Sequence, residues 1–437
     1  MDIYNADLHI HSPHSIAVSQ SLNLDTMLET AITKGLHIIG TGDIFQPDWL
    51  KYMKENLDKD EDGAYSYKDI YFLLQTEIED EESIHHVVFF PDFSTVKEIR
   101  KKLEPSSKNI LDEWGGRPRV NLQPPELAEI VTEEGGIIGP AHAFTPYKAI
   151  FRQNKFATLE DCYQDAIDKV NFLELGLSAN TDLADRLASL KEVSFLSNSD
   201  AHSQKPTSLG REFNRFDLDS PCFDEIRLAL DRKDNRKITL NVGLHPKLGK
   251  YYNMFCGKCR RRVLFKKTKK ELDNPLSSYS ITENFIIYHV KHPSEHRKNY
   301  IDSVSEKKIT CPACKQKTGK NYKMKLGVSE RIDVISSYPE PHHPPHRPEY
   351  INAVPLYDIL RAIHGIKSKN SKTVNRAYDK ILKALGNEYK ILLDLPIPEI
   401  KAYNNQIGEI IEATRKNKIK YTPGGGGTYG NIELPNL

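Results

Sequence analysis

Cysteine is scarce in this chain: six in 437 residues. That is too few for a disulfide framework. Four of the six stand in two Cys-x-x-Cys pairs, and Cys162 and Cys222 stand alone. A reducing cytoplasm with a metal site is the reading these counts favour. No apolar run reaches the roughly 18 residues of a membrane span. The opening segment MDIYNADLHIH lacks the basic region and apolar stretch of a signal peptide. Net charge is nearly absent, at +1, and no internal repeat is visible. What is present is a 38% hydrophobic, 28% charged composition. It can bury a core, which excludes a disordered or collagen-like chain and suggests two to four domains.

The small net charge hides an asymmetry. Residues 1–240 hold 26 Lys and Arg against 42 Asp and Glu, which is −16. Residues 241–437 hold 35 against 18, which is +17. An acidic half joined to a basic half reads as a catalytic body with a polyanion-binding part.

In the first half, short runs rich in Ile, Val, Leu and Phe recur at 3–10, 35–40, 70–77, 87–90, 136–139, 170–175 and 193–196. Each has the character of a buried strand. Helix-like stretches intervene at 24–34, 125–134, 181–191 and 222–232. The alternation predicts a (β/α) barrel or a doubly wound sheet. Most runs carry His, Asp or Glu at one end. His9 and His11 follow Asp7, Asp43 ends GTGD, Glu77 ends the third run, His142 stands in GPAHAF, and Asp200 and His202 stand in SNSDAH. Such ends converge only in a closed or strongly curved sheet. His86 begins its run, so it joins the same rim only if its strand forms a hairpin with the strand ending at Glu77.

His9 and His11 are two apart, so on a strand both imidazoles face one side. With Asp43, Glu77, His86, His142, Asp200 and His202 they form a cluster too polar to bury without compensation. Two or three divalent cations would supply it. Mixed imidazole and carboxylate donors suit Zn²⁺ or Mn²⁺ better than Mg²⁺ alone, and bridging carboxylates suit a multi-metal phosphoesterase. His85 is the competitor of His86, which directly precedes the apolar VVFF. His14 is a further candidate, His37 reads as core-flanking, and Arg211 is either a phosphate contact or an ordinary ion pair.

In the second half, Cys256, Cys259, Cys311 and Cys314 form two knuckles that predict one tetrahedral structural zinc site. Residues 256–270 carry eight cations and no acid, among them Arg260, Arg261, Arg262, Lys266 and Lys267. That density predicts contacts to a phosphate backbone. Residues 338–348 hold five prolines and read as a stiff linker, with its histidines a lesser metal candidate. Helices are expected at 356–363, 373–385 and 398–416. The glycine run in YTPGGGGTY permits a close backbone approach or simple flexibility.

The motifs DLHIHS, GTGD, TEIED, GPAHAF and SNSDAHS resemble those of the PHP superfamily. That resemblance implies a distorted (β/α)7 barrel with a trinuclear site that hydrolyses phosphoesters. His9, His11, Glu77 and Asp200 are then ligands of one ion. Glu77, His86 and His142 hold a second, and His202 and Asp43 hold a third, with Asp200, His202 and Glu77 central to catalysis.

Further stretches (FLELGLSA, FLSNSDAHS, LGREFNRF, the twin knuckles, PHRPEYINAVPL and PGGGGTYG) resemble the endonuclease Q family over nearly the whole chain. This implies a PHP domain at 1–245, a four-cysteine zinc domain at 246–335 and a helical domain at 336–437. It also implies nicking of DNA 5′ of hypoxanthine, uracil, xanthine or an abasic site, with the sliding clamp a possible partner. Reading such a base requires flipping it from the stack. Gly176, Leu177 and Ser178 are the candidate base pocket, where backbone N–H groups would meet the new carbonyl. The alternatives are a PHP phosphatase for a small phosphomonoester and a non-catalytic DNA-binding module.

Overall fold

A computed structural model of the chain describes residues 1–268, 278–366, 368 and 371–433. Strand β1 (Asp2–Asp7) pairs in parallel with β2 (Ile38–Gly40), and β2 with β3 (Ile70–Glu79). The helix that joins β1 to β2, Leu24–Lys34, starts where the Asn23 side chain accepts from Thr26 N, and stops at Gly35 with φ 93. Both are the end chemistry a helix needs. β3 turns back into β4 (His85–Phe90), and β4 pairs antiparallel with β5 (Ile137–Pro140). β6 (Phe172–Glu174) follows through one bridge, Ile138 to Val170, and pairs in parallel with β7 (Ser194–Leu196).

The wall closes through asparagines instead of a full ladder. β8 (Phe213–Leu218) pairs antiparallel with β1 and presents Asn214 toward β7. The Asn214 amide donates to Ser197 O (3.0 Å) and Asn198 Oδ1 (2.9 Å), and its Oδ1 accepts from Ser197 N (2.8 Å). Asn198 Oδ1 also accepts from Leu8 N at 3.1 Å. Each buried polar group is thereby satisfied where ladder bonds are missing, and the barrel is distorted at this seam. Ile39, Val88, Ile138, Leu173 and Phe195 are fully buried in its core, each worth about 1.5–3 kcal/mol of burial.

β9 (Lys237–Leu244) pairs antiparallel with β8, and residues Glu349–Ala353 pair in parallel with β9. The expected boundary at 336 therefore moves: Glu349–Ala353 belongs to the barrel sheet, and the four-cysteine ribbon is inserted between two neighbouring strands. The ribbon sheet comprises Phe255–Cys256, Arg262–Lys267, Tyr279–Ile281, Phe285–Val290 and Met324–Lys325. The proline-rich segment is a strap, not a free spacer. Arg347, buried, pairs with Asp185 at 2.9 Å, donates to Val193 O and Leu190 O, and lies 3.5 Å from the Phe195 ring centre. His343 Nδ1 is 2.7 Å from Asp185, which occupies that histidine in strapping.

The helical unit contains Leu356–Ile363, Lys372–Leu385, Ile397–Tyr403 and Asn405–Arg415. The single helix expected at 398–416 is two, because Asn404 is extended and its side chain caps the second by accepting from Ile407 N. Lys34 and Glu388, both buried, pair at 2.9 Å and fasten this unit to the barrel, helped by Tyr389 stacked on Phe213. The glycine run packs against its own chain at the ribbon's root. Gly424 N donates to Lys247 O, and Gly424 O accepts from Asn253 N. A Cβ on Gly424 would stand 2.3 Å from Gly249 O, which no side chain tolerates.

Candidate metal centre

Strand parity decides which side chains reach the barrel mouth. In the β3–β4 hairpin, Glu79 pairs with His85 and Ile78 with His86. Cross-strand partners share a face, so His85 joins the face of Glu77 and Glu79 while His86 joins that of Ile78. The expectation of His86 as a ligand is therefore corrected. His86 is buried on the other side, 2.9 Å from Tyr163 OH and 2.8 Å from Asp80 Oδ2. His85 Nδ1 lies 2.9 Å from Glu77 Oε1. The hairpin itself is as anticipated.

Among the described residues, His9, His11 and Glu77 converge, as do His11, Asp200 and His202, and Glu77, His85 and His142, each group with donor atoms within 4.8 Å of one another. The groups share His11 and Glu77, so they form one chain of donors. His11 Nε2 is 3.1 Å from Asp200 Oδ1, and His142 Nε2 is 3.0 Å from Glu77 Oε1. His9 Nε2 and Glu77 Oε2 are buried without a hydrogen-bond partner. Orphaned donors in a buried histidine–carboxylate set fit divalent cations. The set could hold metal ions at this mouth.

The buried faces of these ligands are tied down. His9 Nδ1 meets Glu174 Oε2 at 2.8 Å, His11 Nδ1 meets Asp43 Oδ1 at 3.0 Å, and His85 Nε2 meets Glu79 Oε2 at 3.3 Å. Such partners fix tautomer and aim. Asp43 is thus corrected from a ligand of a third ion to the residue behind His11. Its Oδ2 is already taken by Ser12 N (2.6 Å) and Ser12 Oγ (2.8 Å). His14 turns away, with Nδ1 3.0 Å from Glu113 O, and His37 accepts from Asn5 N beside the core. Asp43, His142 and Asp200 have φ of 42, 32 and 49, left-handed values that cost about 1–3 kcal/mol each and concentrate at functional sites.

The electrostatics agree with the geometry. Burial alone would raise Glu77, but His85, Arg117 and His142 outweigh it and hold the carboxyl well below its usual range. Asp200 is likewise held low, against its partial burial, by His11, His202 and His9. Burial pulls His9 down, yet the charge and hydrogen bond of Glu174 lift it to about 9. His11 is lifted against its burial to about 10 by Asp43 and Asp200. The carboxylates are ionised and demand positive charge.

Sequence reasoning missed Glu174 and Arg117. Glu174 ends a buried strand, the same signal that marked its neighbours, and also accepts from His142 N and Asn198 Nδ2. Arg117 stands in the long 104–122 segment, which has no periodic signal, yet its guanidinium lies 3.2 Å from Glu77 Oε2. Arg211 is neither of the expected things. It is drawn inward to Ser199 O, Thr207 O and Tyr429 OH.

The Gly176 loop borders His142: a Cβ on Gly176, at φ 75, would be 2.8 Å from His142 Cβ. Ser178 Oγ accepts from Tyr251 N, and Leu177 packs into the core of the helical unit, so both side chains serve packing. The backbone N–H groups of Gly176, Leu177 and Ser178 have no acceptor among the described residues.

The four cysteines cluster with Cys256–Cys314 and Cys259–Cys311 sulfur separations of 3.7 Å. A disulfide needs about 2.05 Å, whereas thiolates about 2.3 Å from a tetrahedral ion stand about 3.8 Å apart. The cluster therefore fits a metal ion and not a bridge. Of the basic run, Arg262 is corrected: it is buried, donates to Pro423 O and lies 4.1 Å from the Phe285 ring centre. Arg261 donates to Thr282 O within the ribbon, whereas Arg260 donates to Tyr147 OH and joins ribbon to barrel. Lys266 and Lys267 are exposed on the Arg262–Lys267 strand. Lys269 and Lys270 lie outside the described residues.

Residues 355–418 match the family described as the MJ0043 C-terminal domain. The uncharacterized protein MJ0043 of Methanocaldococcus jannaschii is 33% identical over 319 residues, which are 72% of this chain and 34% of that protein. This chain thus spans about a third of that relative's length. The uncharacterized protein YqxK of Bacillus subtilis is 29% identical over 98% of both chains. Among solved structures, the lesion-specific endonuclease PfuEndoQ from Pyrococcus furiosus is 36% identical with a TM-score of 0.83, covering 100% of this chain and 96% of that one. Endonuclease Q in complex with a 27-mer duplex substrate with an abasic lesion at the active site is 37% identical, TM-score 0.83, covering 100% and 97%.

Proposed function

Because this chain belongs to the endonuclease Q family, we propose that it is a cytoplasmic, lesion-directed DNA endonuclease that hydrolyses the phosphodiester 5′ of hypoxanthine, uracil, xanthine or an abasic site. The observation that carries the reading is the shared chain of donors from His202 through Asp200, His11 and Glu77 to His142 and His85, with His9 Nε2 buried without a hydrogen-bond partner. Two or three catalytic Zn²⁺, or Mn²⁺ or Mg²⁺ in their place, are the proposed occupants, with one structural Zn²⁺ in the ribbon.

Bound divalent cations would supply an activated water and offset charge on the phosphate. The chain's own residues do the rest. Glu174, Asp43 and Glu79 hold three imidazoles in the tautomers that present a free nitrogen to the mouth. Asp200 and His202, each about a third exposed as side chains, are the members that substrate reaches first. The N–H groups at 176–178 stand beside His142 and are available to an oxygen acceptor. Deamination replaces an exocyclic donor by such an acceptor, and an abasic site leaves the loop to solvent.

The test is incubation with end-labelled duplexes, each bearing one lesion, across Zn²⁺, Mn²⁺ and Mg²⁺, with and without chelator. The expected product is a single nick 5′ of the lesion that chelator abolishes. Turnover of a small phosphomonoester with every duplex left intact would overturn the reading in favour of a phosphatase.

A further inference from the structure

Beside the donor chain lies a cleft of about 1220 Å³ with a basic lining in the acidic half of the molecule. Five lysines and arginines line it against two carboxylates, Glu79 and Asp112. His85 forms its inner wall, and the 104–122 segment forms its outer one. Two large apolar side chains stand exposed at this cleft: Trp114 at 52% and Ile16 at 70%. The other tryptophan, Trp49, is buried and donates to Thr41 O.

The outer wall is built to stay close. A Cβ on Gly115 would meet Asn109 O at 2.1 Å, and one on Gly116 would meet Asp43 Oδ2 at 2.8 Å. Gly115 lets the segment fold tightly on itself, and Gly116 lets its backbone press against Asp43, the residue behind His11. Asn109 Oδ1 accepts from Arg119 N and fixes the far end of the wall. Arg117 is thereby delivered to Glu77 while Trp114, three residues earlier on the same wall, faces solvent.

We propose that this cleft seats a nucleotide flanking the scissile phosphate, with Arg117 on a non-bridging phosphate oxygen and Trp114 stacked on the base. The proposal rests on the nuclease reading and names where the strand enters. A flat aromatic beside a guanidinium and scattered cations is the arrangement that holds single-stranded nucleic acid. Arg117 reaches Glu77 through one nitrogen, which leaves its remaining donors for a phosphate oxygen. An unfilled wall of this charge has no role in a phosphatase for small substrates.

Only Trp114 is an exposed tryptophan, so its emission reports on the cleft directly. The full-length Asp200→Asn protein is titrated with a duplex carrying one tetrahydrofuran abasic analogue. Quenching at saturation is expected, and unquenched emission with DNA bound by anisotropy overturns the proposal. In nicking assays, Trp114→Ala should raise KM about tenfold, the loss of one stacked base, and Trp114→Phe should recover most of it. Arg117→Ala should lower kcat about a hundredfold, the cost of one charge-stabilising donor, with metal content unchanged. Wild-type KM and kcat in Trp114→Ala and Arg117→Ala overturn the proposal while leaving the nuclease intact. Wild-type protein that nicks no lesion duplex sinks the nuclease reading instead, and the fluorescence still decides the cleft.

Discussion

Glu174 Oε2 lies 2.8 Å from His9 Nδ1, with both side chains fully buried. The carboxylate comes from β6 and the imidazole from the end of β1, so this contact spans the barrel mouth. It leaves His9 Nε2 as the nitrogen facing Glu77 and Asp200. Glu174→Ala should weaken divalent-ion affinity about 10–100-fold, the usual loss when the residue behind a metal-binding histidine is removed. Calorimetric titration of metal-stripped protein checks it, and unchanged affinity would place Glu174 outside the metal machinery.

The two adjacent histidines of β4 should separate cleanly. His85→Ala should abolish nicking and lower metal content while leaving the melting temperature near its wild-type value. His86→Ala should leave two buried partners, Tyr163 OH and Asp80, unsatisfied and cost about 1–3 kcal/mol of stability. Its folded fraction should still nick. Urea melts alongside assays per folded molecule distinguish the two, and the reverse pattern would restore His86 to the site.

Glu212 supplies a pH dependence. Burial lifts its carboxyl to about 8, despite Arg211 nearby, and one oxygen has no partner. The folded state keeps this proton where the unfolded chain, near the ordinary value of 4.5, has lost it. Folded protein therefore binds more protons between about pH 4.5 and 8, and its contribution to stability falls as pH rises through that window, by up to about 1.4 kcal/mol per unit. Glu212→Gln should flatten the decline and raise stability at pH 8. Denaturation midpoints across that range for both proteins provide the comparison.

The four-cysteine cluster should release its thiols only when its ion is removed. Ellman titration of native protein is expected to be silent, since Cys162 and Cys222 are buried as well. Chelator should expose four thiols and lower DNA affinity while the barrel's circular dichroism persists. Four reactive thiols before chelation would argue against a bound ion.

The sequence showed the barrel strands, the hairpin and the cysteine knuckles because each leaves a local pattern. Parity between His85 and His86 did not show, since it depends on cross-strand register set by the turn. Asp43 looked like a ligand because its type and place suit one, and only the Ser12 contacts reveal that its second oxygen is taken. Glu174 was legible and overlooked, whereas Arg117 was not legible, because an irregular wall held by Gly115 and Gly116 has no period to read. Arg262 misled for another reason: charge density marks a patch, but single members of it are spent on internal contacts.

Glu349–Ala353 lies directly beside β9, although a hundred residues separate them along the chain. The ribbon is consequently spliced into a crossover whose two ends are held by neighbouring strands. Force applied to the ribbon by a bound polymer would enter the barrel as shear along that pair, the direction in which several ladder bonds resist together. The registry of the wall is also indifferent to how long the excursion is, so an arm of a different reach or charge can be carried here without disturbing the mouth.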